Sequence, residues 1–542
     1  MVAIYDRMYS HPQYMKERLS PLLKFILIFV IIIGVVFRFV ALDHKVYWFD
    51  EVYTNLRVGG WSSEAIDQAL FQNQIIPASQ LQQYQGLKPD STVTDTIHSL
   101  AVEDPQHPPL YFLIARQWME WFGSSITASR SLPALLSLLS LPLMYLLAKE
   151  LFNSSLTGLI ATTLIAISPI DILFAQTARQ YSLLTVLILA SSYALVKVTH
   201  SRNRWFWGLY IISSILGLYT HLFFALTLAA HGAYILLIQL NSKPDKKKHF
   251  PNLIIQFLIV LIIILSCYLP WMITLINHLS RAESTTSWTK VPISLIDGFK
   301  YFALNFSVIL IDISFDFNDW RNYVIRLPFI ILILLSFYQL SSTQPHSTRL
   351  FILTSIFIPF LILLLPDILF GGRRATIARY LIPCFTGIQL ALSHWFSMRI
   401  SSRRFSLIDS SKMGQFILVA VLTSSIISCT TSAMSNTWWT KGVSYWNAEV
   451  IQYINTKKSP LVVSDKGNSG LNKGNLISLS YKLNPDVEFL LMDRPPNFNL
   501  LPINSTVFVY APSETLQQEI PPQYGKLEPV AESRFLWQIQ SP

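Results

Sequence analysis

Eleven runs of about 20 mostly apolar residues divide the chain, near 22–42, 131–151, 156–173, 182–198, 204–219, 221–240, 251–277, 323–340, 349–366, 380–398 and 413–432. A bilayer core about 30 Å thick takes about 20 such residues per helix, so each run predicts a membrane-spanning helix. A twelfth apolar stretch, 108–122, is shorter and carries Arg116 and Glu120. The first run is too long for a signal-peptide core and no small-residue cleavage site follows it, so it predicts a retained anchor. Two amphipathic stretches, 61–74 and 94–102, suit helices lying at a membrane surface. After about residue 433 the pattern changes. Segments 461–465, 487–492 and 506–510 read as short buried strands, with helical stretches at 476–483 and 513–519. The expected fold is an α-helical polytopic membrane protein of about 11 transmembrane helices with a small C-terminal α/β domain.

Composition sharpens this picture. The 542 residues are 52% hydrophobic and only 13% charged, with a mean hydropathy of +0.42. Soluble domains carry about 25% charged residues. A soluble enzyme, a disordered chain and a nucleic-acid binder are therefore excluded as descriptions of the whole protein. Cys267, Cys384 and Cys429 all lie in apolar runs, an odd and scattered set that reads as helix packing and not as a disulfide or metal framework.

The net charge of +10 orients the chain, because cytoplasmic loops are enriched in Lys and Arg. Arg7, Lys16, Arg18 and Lys24 place residues 1–21 inside. If 108–122 does not cross, three basic loops also fall inside: Lys197/Arg202/Arg204, Lys243/Lys246/Lys247/Lys248 and Arg399/Arg403/Arg404/Lys412. If it crosses, all three fall outside. Parity thus predicts that 108–122 lies along the membrane or dips into it. Loops 43–107 and 278–322 and the 433–542 domain are then extracytoplasmic, around a 22–432 membrane domain. The expected location is the cell (plasma or inner) membrane.

Against that bias, ionisable residues near membrane depth are functional candidates. Trp48-Phe-Asp50-Glu51-Val-Tyr53 pairs two carboxylates that could act as a general base with an orienting or metal ligand; the plain alternative is an aromatic belt with two solvated acids. Glu103-Asp104-Pro-Gln-His107-Pro-Pro holds two acids and a histidine in a proline-stiffened turn; taken alone, a rigid entry to a helix explains it better than a chemical role. Arg179, in Gln176-Thr-Ala-Arg179-Gln-Tyr181-Ser, and Arg373, Arg374 and Arg379, in Gly371-Gly-Arg-Arg-Ala-Thr-Ile-Ala-Arg379-Tyr380, break the charge bias. A guanidinium fork suits phosphate oxygens, and snorkelling to lipid headgroups is the alternative. His221 sits at an outer turn, where a structural hydrogen bond is the commoner role for a histidine. Together these elements would equip one membrane face to activate a nucleophile and hold a departing phosphate.

Residues 38–51, ending in Trp48-Phe49-Asp50-Glu51, resemble the start of the polyprenyl-phosphate-dependent glycosyltransferases of the GT-C class. That class includes the protein O-mannosyltransferases, the lipid A aminoarabinose transferase and related bacterial enzymes of families 39 and 83. His107-Pro-Pro-Leu-Tyr, Ser129-Arg130-Ser-Leu-Pro133, Gln176-Thr-Ala-Arg179-Gln-Tyr181 and Arg379-Tyr380-Leu-Ile-Pro383 follow in the order seen in bacterial members. The resemblance spans roughly 20–400 and departs at an insertion between Gln74 and Thr94. It implies Asp50 as the main catalytic carboxylate, assisted by Glu51, with Asp104 or Glu103 and His107 as a second acidic element. It also implies Arg179 and Arg379 as ligands of the lipid phosphate, with Arg373 or Arg374; Tyr181, His221 and Tyr380 join the candidate substrate site. The implied reaction is transfer of a sugar from a polyprenyl-phosphate-sugar donor to a protein, lipid or glycan hydroxyl, with inversion. Some members use a divalent metal and others none, so Mg or Mn on Asp50 with Asp104 or Glu103 stays open. The rival functions are a transporter or lipid-linked-sugar flippase and a non-catalytic assembly protein. Transporters concentrate ionisable groups near the midplane between repeated halves; this chain shows no repeat and clusters them at one face.

Overall fold

The computed structural model describes residues 20–540 except 202, 242–252, 314–315, 402–409, 469, 503–505 and 531–534. Arg7, Lys16, Arg18, Arg202, Lys243, Lys246–Lys248, Arg403 and Arg404, which carry much of the topology argument, lie outside the described residues.

Each of the eleven apolar runs is helical. Among the described residues, seven helices are long and apolar enough to cross a membrane; a bent pair makes eight, and Pro21–Phe37 and Trp205–Thr220 are shorter apolar helices. The bent pair is Ser155–Ile167 with Pro169–Ala175, which meet at 58°. Pro169 has no N–H, which would orphan carbonyls in the preceding turn. The buried Arg38, just past the first helix, fills that gap by donating to the Ile165 and Ala166 carbonyls at 3.1 and 2.5 Å. The break ends the helix early and brings residues 176–180 to one end of the bundle.

The helix Tyr181–Ser201 has 21 residues, about 30 Å at 1.5 Å per residue, a bilayer core's thickness. Near its far end Lys197 pairs with Glu150 at 3.0 Å, so the described part of the first basic loop lies opposite Tyr181. The short helix Leu110–Phe122 is flanked on both sides by contacts at one end of the bundle. Before it, His107 meets Arg179, and after it Arg130 reaches Glu51 at that same end. This agrees with the parity argument.

The three expected C-terminal strands join two more from the tail and one from the loop after the first helix in a six-stranded sheet, in the order β1-β3-β2-β4-β6-β5. These are β1 (Gln74–Pro77), β2 (Leu461–Ser464), β3 (Glu488–Leu491), β4 (Val507–Tyr510), β5 (Lys526–Pro529) and β6 (Leu536–Gln540). β2, β3 and β4 are parallel and fully or nearly buried, as their unbroken apolar runs require. β1 belongs to the first outer loop, inside the segment that departs from the family pattern, and pairs antiparallel with β3. The insertion therefore stitches the loop to the tail. The helix Ser63–Leu70 turns its buried Ile66 and Leu70 into the same core, so the amphipathic face expected on a membrane surface covers the C-terminal sheet instead.

The tail also presses on the first outer helix, Phe49–Val58. Its helix Asn472–Ser480 comes so close that a Cβ on Gly474 would lie 2.7 Å from Phe49 Cδ2 and 2.8 Å from Tyr53 Cε2. Overpacking of this kind costs about 1–3 kcal/mol. Gly474→Val is expected to lower the melting temperature of the detergent-solubilised protein, with Gly474→Ala intermediate; an unchanged melt for both would disprove the close contact.

Candidate active site

The Phe49–Val58 helix carries two adjacent acids in its first turn, and its geometry sends them opposite ways. Glu51 is completely buried. Its two oxygens take Arg130 Nε and Nη2, each at 2.8 Å, and Lys441 Nζ at 2.9 Å. They also accept the main-chain N–H of Trp48 at 3.0 Å and of Ala178 at 2.8 Å. Burial alone would raise the pKa of this carboxyl, but Arg130 and Lys441 outweigh it and hold Glu51 ionised, well below the ordinary range. Lys441 is itself pushed down to about 8, first by burial. One carboxylate thus joins the helix start, the Ser125-capped helix that bears Arg130, the turn next to Arg179, and the beginning of the tail. The sequence resemblance implied that Glu51 assists catalysis; the structure places it beneath the site, with both oxygens occupied. Removing one partner from a buried ion pair strands the others, at about 3–5 kcal/mol. Glu51→Gln is expected to give a large drop in melting temperature together with lost activity, whereas loss of activity at an unchanged melt would return Glu51 to a chemical role.

Asp50 points elsewhere, into a cavity of about 950 Å³ that also reaches Asp104, His107, Arg179, Tyr181, His221, Arg379 and Tyr380. Eight residues singled out in the sequence, from five separate segments, therefore meet in one chamber. Among the described residues the Asp50 carboxylate has no ion pair or hydrogen bond, whereas its main-chain carbonyl accepts from Thr54 Oγ1 and Arg179 Nη1.

Arg179 is buried and donates through Nη1 to Thr54 Oγ1 at 2.9 Å, while its Nη2 lies 3.0 Å from His107 Nε2. Its Nε has no partner. Burial, then the charges of Arg179, Arg379 and Arg57, push the His107 pKa well below its usual value. His107 is therefore neutral and accepts from Arg179, which fixes the other ring nitrogen as the N–H. His221 is held neutral in the same way, by burial, His107 and the two arginines, and its Nδ1 accepts the Phe223 N–H. Arg379 stands among the rings of Trp48, Trp288 and Tyr380, 5.5, 5.3 and 5.5 Å from its guanidinium carbon. Among the described residues neither Arg179 nor Arg379 forms an ion pair with a carboxylate. Burial works against both charges, and Tyr181 and Asp50 more than offset it.

Asp104 is present in the cavity but already engaged. Arg57 Nε binds its Oδ2 at 2.6 Å, and Arg57 Nη1 binds Glu103 at 2.6 Å. Arg57 was not among the sequence candidates, although seven residues after Asp50 it falls on the same helix face. Lys441 gave no such signal, and neither did Trp288. Arg373 and Arg374 do not enter the cavity. Arg374 pairs with Asp367 at 2.8 Å and Arg373 lies over Tyr301, so they shape the turn that presents Arg379.

No group of three or more His, Cys, Asp or Glu side chains suited to a metal occurs among the described residues. Asp104 and Glu103 are both committed to Arg57, so the residues present do not fit Mg or Mn held by Asp50 with either of them.

Residues 106–273 match the family described as dolichyl-phosphate-mannose-protein mannosyltransferase. No curated protein matches the chain by sequence. Among solved structures, ArnT from Cupriavidus metallidurans bound to undecaprenyl phosphate is 10% identical, with 95% of this chain and 98% of that chain covered and a TM-score of 0.52. Its apo form gives 11%, 94%, 97% and 0.49. The oligosaccharyltransferase AglB from Archaeoglobus fulgidus, in complex with an inhibitory peptide and a dolichol-phosphate, gives 11%, 91%, 70% and 0.46. At these identities the ArnT match establishes a shared GT-C fold over nearly the whole chain, in agreement with the resemblance read from the motifs.

Proposed function

We propose that this chain is a membrane glycosyltransferase that takes a sugar from a polyprenyl-phosphate donor and passes it to an acceptor hydroxyl on the extracytoplasmic face. One observation carries the reading: Asp50, whose carboxylate has no ion pair or hydrogen bond among the described residues, shares a cavity with Arg179 and Arg379, which have no acidic partner there. Such arginines await an anion. ArnT, whose fold this chain shares, was crystallised with undecaprenyl phosphate, and a lipid-linked phosphate is the anion that best suits this place in a membrane protein.

In this reading Arg179 and Arg379 grip the donor phosphate through charge-assisted hydrogen bonds. Asp50 accepts the proton of the acceptor hydroxyl as its oxygen attacks the anomeric carbon. A C–O bond to the acceptor forms while the bond from that carbon to the phosphate oxygen breaks, and the electron pair leaves on the polyprenyl phosphate. The arginines stabilise the growing charge on that leaving group. Attack from the face opposite the phosphate inverts the anomeric centre. Neutral His107 steadies Arg179, and the Arg57 clamp holds Asp104 at the cavity edge. Lys197, near the end of its helix far from Tyr181 and beside the first basic loop, supports the extracytoplasmic side for the cavity.

The test is a proteoliposome assay with purified full-length protein and a radiolabelled polyprenyl-phosphate sugar. Release of label from the lipid phase into a glycosylated product is expected. Movement of the intact lipid-linked sugar between leaflets without any product would favour the flippase reading instead.

A further inference from the structure

The cavity is at the upper end of the roughly 300–1,000 Å³ typical of small-molecule sites, and its two ends differ in chemistry. From the arginine end, side-chain contacts lead along the Phe49–Val58 helix away from Arg179 and Arg379. Arg57, over the Tyr53 ring at 5.6 Å, reaches Ser63 Oγ at 3.2 Å. Lys473 then joins the Ser63 carbonyl, at 3.0 Å, to Asp67 Oδ2, at 2.7 Å. This second lobe lies between the first outer loop and the tail domain, and nothing in the phosphate chemistry uses it.

Its hydrogen-bonding character is one-sided. Glu64, Asp67 and Gln68 line the cavity from one face of the Ser63–Leu70 helix, at positions i, i+3 and i+4. Asp67 Oδ1 and, across the lobe, Gln106 Oε1 are buried atoms with no hydrogen-bond partner. A buried acceptor left unpaired costs about 1–3 kcal/mol, and both would be satisfied by a ligand that donates. Three of the lobe's cations are paired with acids, Arg57 with Glu103 and Asp104, Lys473 with Asp67 and Lys466 with Asp493, whereas Arg281 donates Nε to the Glu103 carbonyl and has no carboxylate partner among the described residues. A second anionic headgroup would meet Arg281 here, but also the carboxylates of Glu64, Asp67 and Asp104, which repel it. Apolar surface is limited to the rings of Phe49 and Tyr53, 4.7 Å apart, and Leu471, too little for a lipid tail. A peptide main chain would need a row of backbone partners, but this wall is built from side chains of a helix whose own backbone is paired internally.

We infer that this lobe is the acceptor subsite and that the acceptor is a saccharide, with its hydroxyls donating to Asp67, Gln68, Glu64 and Gln106 and a sugar face set against Tyr53. The inference rests on the proposed glycosyltransferase reading and names the acceptor class that the reading leaves open. The geometry places the tail domain, through Lys473 and Leu471, as one wall of acceptor recognition.

The test applies purified full-length protein in detergent micelles to a broad array of immobilised oligosaccharides and, in parallel, to an array of Ser/Thr-containing peptides. The wild type is expected to capture oligosaccharides. A folded Glu64→Ala/Gln68→Ala variant, checked by gel filtration and thermal melt, is expected to bind them at least about tenfold more weakly, the worth of one or two hydrogen bonds. Capture of peptides instead, capture of no oligosaccharide, or undiminished capture by the variant would each overturn the proposal. Undecaprenyl phosphate binding, followed by native mass spectrometry, separates the two readings. Oligosaccharide capture without any binding of the lipid phosphate would sink the donor assignment alone, and the reverse result would sink the acceptor subsite alone.

Discussion

The Asp50→Asn protein is expected to insert and melt like the wild type but to transfer sugar about 10²–10⁴-fold more slowly, the usual worth of a positioned general base. Asparagine keeps the shape and removes only the ability to take a proton. The structure makes this a clean test, because among the described residues the Asp50 carboxylate holds no ion pair or hydrogen bond whose loss would disturb the fold. Its first-turn position favours a negative charge through the helix dipole, so asparagine there gives up only about 0.3–1 kcal/mol. The neighbouring Glu51 gives the contrast: it lies one residue on in the same turn, yet both its oxygens are taken by Arg130, Lys441 and two main-chain donors. Asp50→Asn should therefore slow turnover at an unchanged melting temperature, and Glu51→Gln should lower both. Wild-type turnover by Asp50→Asn would remove the central residue of the proposed mechanism.

Replacement of Arg379 by alanine is expected to have the second largest effect. A hydrogen bond to a charged group is worth about 1.5–3 kcal/mol, which corresponds to about a 10- to 150-fold loss of affinity for the donor. Part of the effect should also fall on turnover, since the phosphate gains charge as it leaves. Arg379 is the better probe of the two arginines. It sits in an aromatic cage of Trp48, Trp288 and Tyr380 with no protein carboxylate to strand. Arg179 also donates to Thr54 and to the Asp50 carbonyl and meets His107, so Arg179→Ala would loosen the site as well as the phosphate. Arg379→Lys is expected to recover only part of the loss, because lysine keeps the charge but lacks the planar fork. Measured with undecaprenyl phosphate in detergent, Arg379→Ala should weaken donor binding far more than acceptor binding. Equal weakening of both would argue against a phosphate role.

The aromatic cage also explains how a guanidinium survives half-buried without an acid beside it. Ring faces offer their negative quadrupole to a cation without neutralising its charge, so Arg379 remains available to a ligand. Arg57 shows the opposite arrangement. Its two acids consume it, and it works as a clamp within the same cavity. Two arginines on the cavity wall thus have different tasks, decided by what stands next to each.

The membrane architecture was legible from the chain alone, because the physics behind it is local. A run of about 20 apolar residues buries itself in lipid whatever follows it, and all eleven runs are helices. Counting charges predicted that the short 108–122 stretch does not cross, and three short buried strands of the tail were legible as apolar runs. Eight of the candidate site residues meet in the cavity because scarce ionisable residues near lipid need a reason to be there.

What the sequence could not reveal was pairing across distance. Nothing local says that Asp50 is free while Glu51 is bound, since the deciding partners, Arg130 and Lys441, lie 79 and 390 residues away. Nor does it say that Arg373 and Arg374 serve a turn while Arg379 serves the cavity, or that strand β1 in the first loop completes a sheet made by the tail. Whether a charge is spent or available depends on its neighbours in space. The low charge content of the chain determined which residues to ask about, and only the tertiary structure decided which of them are left free to act.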